Sequence, residues 1–359
     1  MRIFRISLIL SIIWIFIGFN LSAETTPPQV RNVILMIGDG MGLTHQYAAY
    51  MANRGNLAIE RCQYVGLAKT YSAHGYITDS AAAGTAIACG EKTYNGMLGQ
   101  RPDSTFLKSM LEYAADSDLS TGIVVTCELT HATPAAFVAH VNGRSENENI
   151  AMAIAETKIN VCIGGGRKFF ENREDGKNLT NVMKTKGFRV AYTMDEVKAV
   201  REGNLLALLA DVALDPFPAR GNMLPEATSV AINLLNQNKK GFFLMVEGSQ
   251  IDWAAHANAQ ENVVNETLDF DRAVKAAFDF AERDGQTLVI VTADHETGGL
   301  TITGGNHTTG ALITAFSTKG HTGIPVPVYS FGPGAELFTG IFDNTEFLPK
   351  VLSLLGIDR

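Results

Sequence analysis

Short apolar runs alternate with longer amphipathic stretches along most of the chain. Runs at Asn32–Ile37, Gly122–Thr126, Asn160–Gly164, Phe242–Val246, Thr287–Thr292 and Val326–Phe331 are mostly rich in Val and Ile and apolar at successive positions. A strand covered on both faces needs that continuous pattern, whereas a half-exposed strand alternates. Between the runs, helical spacing of apolar residues predicts helices over 43–53, 80–89, 104–116, 133–140, 146–157, 225–237, 258–283 and 344–355. Such alternation predicts an α/β fold: a doubly wound, mostly parallel central sheet with helices on both faces. The stretch 171–222 is more polar and less periodic, and is expected as a surface excursion. No internal repeat or low-complexity linker is visible, so residues 24–359 are expected to form a single domain.

Composition narrows the function classes. Hydrophobic residues make up 46% of the 359 positions, enough for a large core and too many for a disordered chain. The net charge is −8 and no long basic block occurs, which argues against nucleic acid as a partner. Cys62, Cys89, Cys127 and Cys162 are too few to staple a chain of this size and are expected as free thiols. At the N-terminus, Arg2 and Arg5 precede an apolar run from Ile6 to Phe19, followed by Ser22 and Ala23. That is the order of a signal peptide, expected over 1–23, and the run is shorter than the ~20 residues that span a bilayer. The protein is therefore expected to be exported, periplasmic or secreted, with no stable membrane span after processing.

In doubly wound sheets, chemistry collects at the carboxyl ends of the strands. Polar residues follow the apolar runs here again and again. Asp39 ends the first run within Gly38-Asp39-Gly40-Met41-Gly42; the spacing is wrong for a dinucleotide loop, and a carboxylate there suits a cation. Glu247 ends another, and Asp252 and His256 follow four apart, which on a helix puts both on one face. Asp294 and His295 end a third run, and His321 lies in a glycine-flanked loop. Asp79 and Ser80 stand at a helix start, where a hydroxyl can cap the helix or act as a nucleophile towards an anion. His131, Thr133 and Arg144 lie in and after Cys127-Glu-Leu-Thr-His131-Ala-Thr133-Pro134. Three carboxylates and three imidazoles make two open nitrogen/oxygen metal sites, of a kind that points to catalysis.

Six stretches, IGDGMG, ITDSAAAGTA, THATPAAFVAHVNGR, VEGSQIDWAAHAN, VTADHETGG and GHTGIPVPVY, resemble in order those of the alkaline phosphatase family and span about 33–332. The resemblance implies hydrolysis of small phosphate monoesters at alkaline pH through a phosphoserine, with two Zn2+ and one Mg2+. It implies Ser80 as nucleophile and Arg144 as a phosphate clamp. It implies Asp252, His256 and His321 on one zinc; Asp39, Asp294 and His295 on the second; and Asp39, Thr133 and Glu247 on magnesium. Asp79, His131 and Trp253 would sit around substrate and ligands, and the chain would form a homodimer.

Many bacterial relatives carry Asp and Lys where His131 and Trp253 stand. The change makes the third site less purely oxygen-based, so another divalent metal than magnesium can enter it. Trp253 offers one N–H and no charge, so phosphate is expected to be held less tightly. The interval between His295 and His321 is short, and a small insert is expected at 297–320. A sulfatase would need a different nucleophile motif, and a diesterase would usually present Thr. A non-catalytic phosphate or metal binder would be expected to lack Ser80 or a ligand. His45 and His140 are expected as packed or surface residues on helices, and His74 and His307 as loop residues.

Overall fold

A computed structural model describes residues 30–359; the expected signal segment 1–23 lies outside the described residues. Fourteen strands form among them: β1 (Asn32–Gly38), β2 (Tyr64–Lys69), β3 (Ser120–Glu128), β4 (Val161–Gly165), β5 (Phe188–Ala191), β6 (Asn204–Leu208), β7 (Phe242–Gly248), β8 (Thr287–Thr292), β9 (Glu296–Thr297), β10 (Leu300–Asn306), β11 (Ala311–Phe316), β12 (His321–Thr322), β13 (Val326–Phe331) and β14 (Gly340–Asp343). Ten build one sheet in the order β14-β2-β13-β8-β1-β7-β3-β4-β6-β5. Only β13 is reversed, running antiparallel to both β8 and β2. The fold is thus α/β with a mostly parallel sheet.

The continuous apolar runs have the environment their pattern requires. Every position of β1, β7 and β8 is buried, so both faces of the sheet centre are covered. Helices Leu43–Ala52 and Met223–Leu235 both pack on Gln260–Asp284, and helices Ser80–Cys89, Met110–Asp116 and Phe347–Leu355 form a second group. The helix Gln260–Asp284 buries Val263, Thr267, Phe270, Val274, Phe278 and Ala281, a stripe at helical spacing laid on β8. Each phenylalanine in that stripe contributes about 1.5–3 kcal/mol of apolar burial.

Where sequence and structure part, the edges are responsible. The stretch 171–222 is no mere excursion: it contains β5 and β6, which extend the sheet at one side, and Leu205–Leu208 are buried. At the other side β2 and β14 are short and partly exposed, so neither shows a continuous apolar run. The helix expected from 104 starts only at Met110, because Ser109 and Glu112 form a capping box there. The one expected over 133–140 is a single turn, Ala132–Ala135. The stretch 297–320 forms chiefly the β10–β11 hairpin. All four cysteines are free.

Candidate active site

The four central strands β8-β1-β7-β3 lie side by side and parallel, with carboxyl ends on one edge. Adjacent strands are about 4.8 Å apart, so side chains leaving neighbouring ends fall within ligand range of one another. Asp39 follows β1. Glu247 lies in β7, level with Ile37 of β1 and Val125 of β3. Asp294 and His295 follow β8, while His131 and Thr133 follow β3. The helix Gln250–His256 leaves β7 and carries Asp252, Trp253 and His256. His321 enters from β12, which pairs with β9 just beyond His295.

Three donor groups result among the described residues: Asp252, His256 and His321; Asp39, Asp294 and His295; and Cys127, His131 and Glu247, with ligand atoms in each group within 4.8 Å. In the first, His256 Nε2 is 3.3 Å from Asp252 Oδ2 and 3.1 Å from His321 Nε2. In the second, His295 Nε2 is 3.5 Å from Asp39 Oδ1 and 3.4 Å from Asp294 Oδ2. The rings of His295 and His321 stack at 3.6 Å, which joins these two groups. Thr133 Oγ1 donates to Asp39 Oδ2 at 3.4 Å, linking the third region to the second.

Ser80 is the first residue of the helix Ser80–Cys89, and its Oγ lies 3.3 Å from His295 Nε2. That helix is buried throughout because its residues are small. A Cβ on Gly84 would stand 3.0 Å from Ala136 Cβ, so glycine permits the close packing against Ala132–Ala135 that seats Ser80 in the crevice. Asp79 caps the helix, its Oδ1 accepting from the Ala82 N–H at 2.9 Å. Its Oδ2 accepts from Arg144 Nη1 at 3.1 Å and from the Gly96 N–H at 2.9 Å. Arg144 Nη2 lies 3.3 Å from His131 Nε2, and Trp253 meets the His131 ring edge-on at 5.9 Å.

The electrostatics demand a cation. Burial foremost, then neighbouring acids, pushes Asp39 well above the carboxylate range; burial pushes Glu247 to about 8 and Asp294 to about 6. Asp252 sits below its ordinary value: burial opposes this, but its contacts with His256, His295 and Thr297 prevail. Asp39 Oδ1, Asp294 Oδ2 and Glu247 Oε1 are buried without a hydrogen-bond partner. Desolvated carboxylates facing one another cannot all stay ionised unless divalent cations lie between them. Burial lowers His295 and His131 to about 4 each and also lowers His321, so these rings offer neutral lone pairs. His256, by contrast, is raised to about 9 by Asp252. Carboxylates with imidazoles form the donor set of zinc-like ions.

Outer contacts hold these side chains. His256 Nδ1 meets the Lys319 carbonyl, and His321 Nδ1 meets the Thr78 carbonyl at 2.8 Å, which leaves both Nε2 atoms facing inwards. Thr297 Oγ1 bridges Asp252 Oδ1 and His295 Nδ1, and the Gly40 N–H donates to Asp294 Oδ1. Thr297 escaped the sequence reading although it lies in the VTADHETGG stretch, since only folding brings it to Asp252. Cys127, expected as a free thiol, is free and buried, and its Sγ lies 3.5 Å from Glu247 Oε2. The remaining histidines stay outside these groups. His45 is buried, His140 lies past the observed turn Ala132–Ala135 and pairs with Glu112, His74 meets Tyr94 edge-on, and His307 sits in the β10–β11 turn.

Comparisons with known proteins converge. The family model described as alkaline phosphatase matches residues 30–315. The chain is 37% identical to alkaline phosphatase 4 of Bacillus subtilis, over 91% of this chain and 89% of that protein. It is 32% identical to the alkaline phosphatase of Escherichia coli, over 91% and 86%. The solved alkaline phosphatase of the Antarctic bacterium TAB5 superposes with a TM-score of 0.87 at 39% identity, covering 93% of this chain and all of that one. Variants of the TAB5 enzyme with a histidine replaced by aspartate or glutamate are described with magnesium bound in a site called M3.

Proposed function

We propose a division of labour among the residues of this chain, which belongs to the alkaline phosphatase family and hydrolyses phosphate monoesters. Ser80 attacks phosphorus: its Oγ–P bond forms as the ester O–P bond breaks, and the alcohol leaves with a proton. Water then displaces Ser80 from the phosphoserine and releases inorganic phosphate. Arg144, oriented by Asp79, grips phosphate oxygens through two parallel N–H groups. The helix N-terminus at Ser80 adds partial positive charge where an anion arrives. Asp252, His256 and His321 hold one Zn2+; Asp39, Asp294 and His295 hold a second; Asp39, Thr133 and Glu247 hold the third ion, Mg2+ in this reading. Bound there, such cations lower the pKa of a coordinated hydroxyl and neutralise charge on the transferred phosphoryl group.

The observation that supports this reading is the 3.3 Å contact between Ser80 Oγ and His295 Nε2, which sets the Ser80 hydroxyl against a donor group with orphaned carboxylate oxygens. Trp253 beside His131 brings no charge to the phosphate, and replacing it with Lys would tighten phosphate binding. Export through 1–23 and a homodimer complete the proposal. Among the described residues no helix is long and apolar enough to cross a membrane. The direct test is p-nitrophenyl phosphate hydrolysis by the processed protein with metals, after chelation, and as Ser80→Ala. Activity that needs metal and largely disappears in Ser80→Ala is expected. Turnover of bis(p-nitrophenyl) phosphate alone would assign a diesterase instead.

A further inference from the structure

Glu296 is a buried carboxylate that belongs to none of the three donor groups. It opens β9, directly after His295. β9 pairs antiparallel with β12, so that Glu296 stands opposite Thr322 and Thr297 opposite His321. Successive side chains of a strand leave on opposite faces. Thr297 accordingly reaches Asp252 and His295, while Glu296 turns the other way. There its Oε2 accepts from Thr322 Oγ1, and its Oε1 accepts from the Leu300 N–H at 3.2 Å. The turn that follows Asp39 rests on the same side chain, since a Cβ on Gly42 would collide with Glu296 Cγ. Among the described residues no Lys or Arg forms an ion pair with Glu296; His45 Nδ1 lies 3.9 Å from Oε1.

We propose that Glu296 is a positioning residue: it ties β12, which carries His321, to β9, which follows His295, and so holds the first two metal ions as a pair. The proposal rests on reading those two donor groups as metal sites. Taking a carboxylate out of water is costly unless hydrogen bonds replace the solvent. An apolar side chain would fill the same space without that cost, so packing alone does not account for an acid here. Both carboxylate oxygens are engaged, one of them by the residue that directly follows His321. The rings of His295 and His321 stack at 3.6 Å, yet the ladder beside them is only two residue pairs long. A side-chain bridge between directly opposed positions strengthens so short a ladder. Without it, His321 can move against His295 although every ligand is still present, and both ions are then held less well.

Two substitutions cut the bridge from opposite ends. Thr322→Val removes the hydroxyl with little change of shape at a half-buried position. Glu296→Gln replaces one of the two accepting oxygens with an N–H donor. The metal-free full chain is loaded with cadmium and followed by cadmium NMR, which gives a separate line for each occupied site; His321→Ala and His295→Ala identify the lines of the first two groups. Each bridge variant is expected to move both lines and to release both ions to a chelator about tenfold more readily. The double variant is expected to be no worse than Glu296→Gln alone, because the two side chains act through one contact. A variant that moves only the nearer line, or neither, would overturn the tie, as would additive losses in the double variant. Fewer than two cadmium lines in the unaltered protein would overturn the metal reading beneath it.

Discussion

Arg144 shows how much a single side chain is asked to do. Its guanidinium is anchored on Asp79, which also caps the helix of Ser80, so the proposed nucleophile and the proposed phosphate clamp share one support. Lysine keeps the charge but loses the planar fork. Arg144→Lys is expected to cost about 1.5–3 kcal/mol, the worth of one charge-assisted hydrogen bond, or roughly 10- to 200-fold in kcat/KM. Steady-state kinetics on p-nitrophenyl phosphate check it, and an unchanged kcat/KM would remove Arg144 from the clamp. Gly40 is under a tighter constraint. Its φ is +69°, and a Cβ there would lie 2.6 Å from Thr297 Oγ1 and 2.9 Å from Asp252 Oδ1. Gly40→Ala should therefore destabilise the protein by about 1–2 kcal/mol through the left-handed backbone alone, and reduce bound metal by displacing Asp252. Thermal unfolding and metal content measure the two effects separately. Residues that end an apolar run, such as Asp39, Glu247 and Asp294, were legible in sequence because strand ends converge. Thr297 and the Cys127–Glu247 contact were not, because chain distance hides them until neighbouring strands pair.

At the scale of elements, the strands read most clearly were those covered on both faces. β5 and β6 went unread inside 171–222: β5 is only four residues long, and the apolar run of β6 is leucine and alanine without a β-branched residue, so it reads as helix as readily as strand. Helix starts depended on caps, and the Ser109–Glu112 box moved one by six residues from its expected start at 104. That box also makes a pH-dependent contact, because Glu112 Oε1 lies 3.0 Å from His140 Nε2. Burial would lower His140, but the Glu112 carboxylate outweighs it and holds the ring above the ordinary 6.5. Burial would raise Glu112, but His140 and Ser109 outweigh that and hold it below 4.5. The raised histidine stabilises the fold fully below 6.5, and this contribution is lost as pH rises through its folded value. The lowered carboxylate contributes above 4.5, and its part is lost as pH falls through its folded value. The ion pair therefore works best between 4.5 and 6.5 and weakens as pH rises through the folded value of His140. His140→Gln should cost about 1 kcal/mol or less near pH 6 and measurably less near pH 9; urea unfolding at both tests this, and equal losses would contradict it.

The whole molecule resolves an apparent mismatch between charge and substrate. A chain of net charge −8 handles a phosphate dianion, because the local field at the carboxyl edge, not the total, decides what binds there. The ten-stranded sheet is a rigid base whose four central strands deliver acids and imidazoles to one line. The enclosing helices keep that line dry enough for buried carboxylates to require cations. The central claim is that Ser80 carries the phosphoryl group between the two displacements. Its most direct test is to quench the metal-loaded enzyme with acid during turnover of p-nitrophenyl phosphate and map phosphate by peptide mass spectrometry. The account predicts a phosphoryl group on the peptide containing Ser80, absent from Ser80→Ala. Phosphate on another residue, or full turnover in Ser80→Ala without a phosphoenzyme, would contradict it.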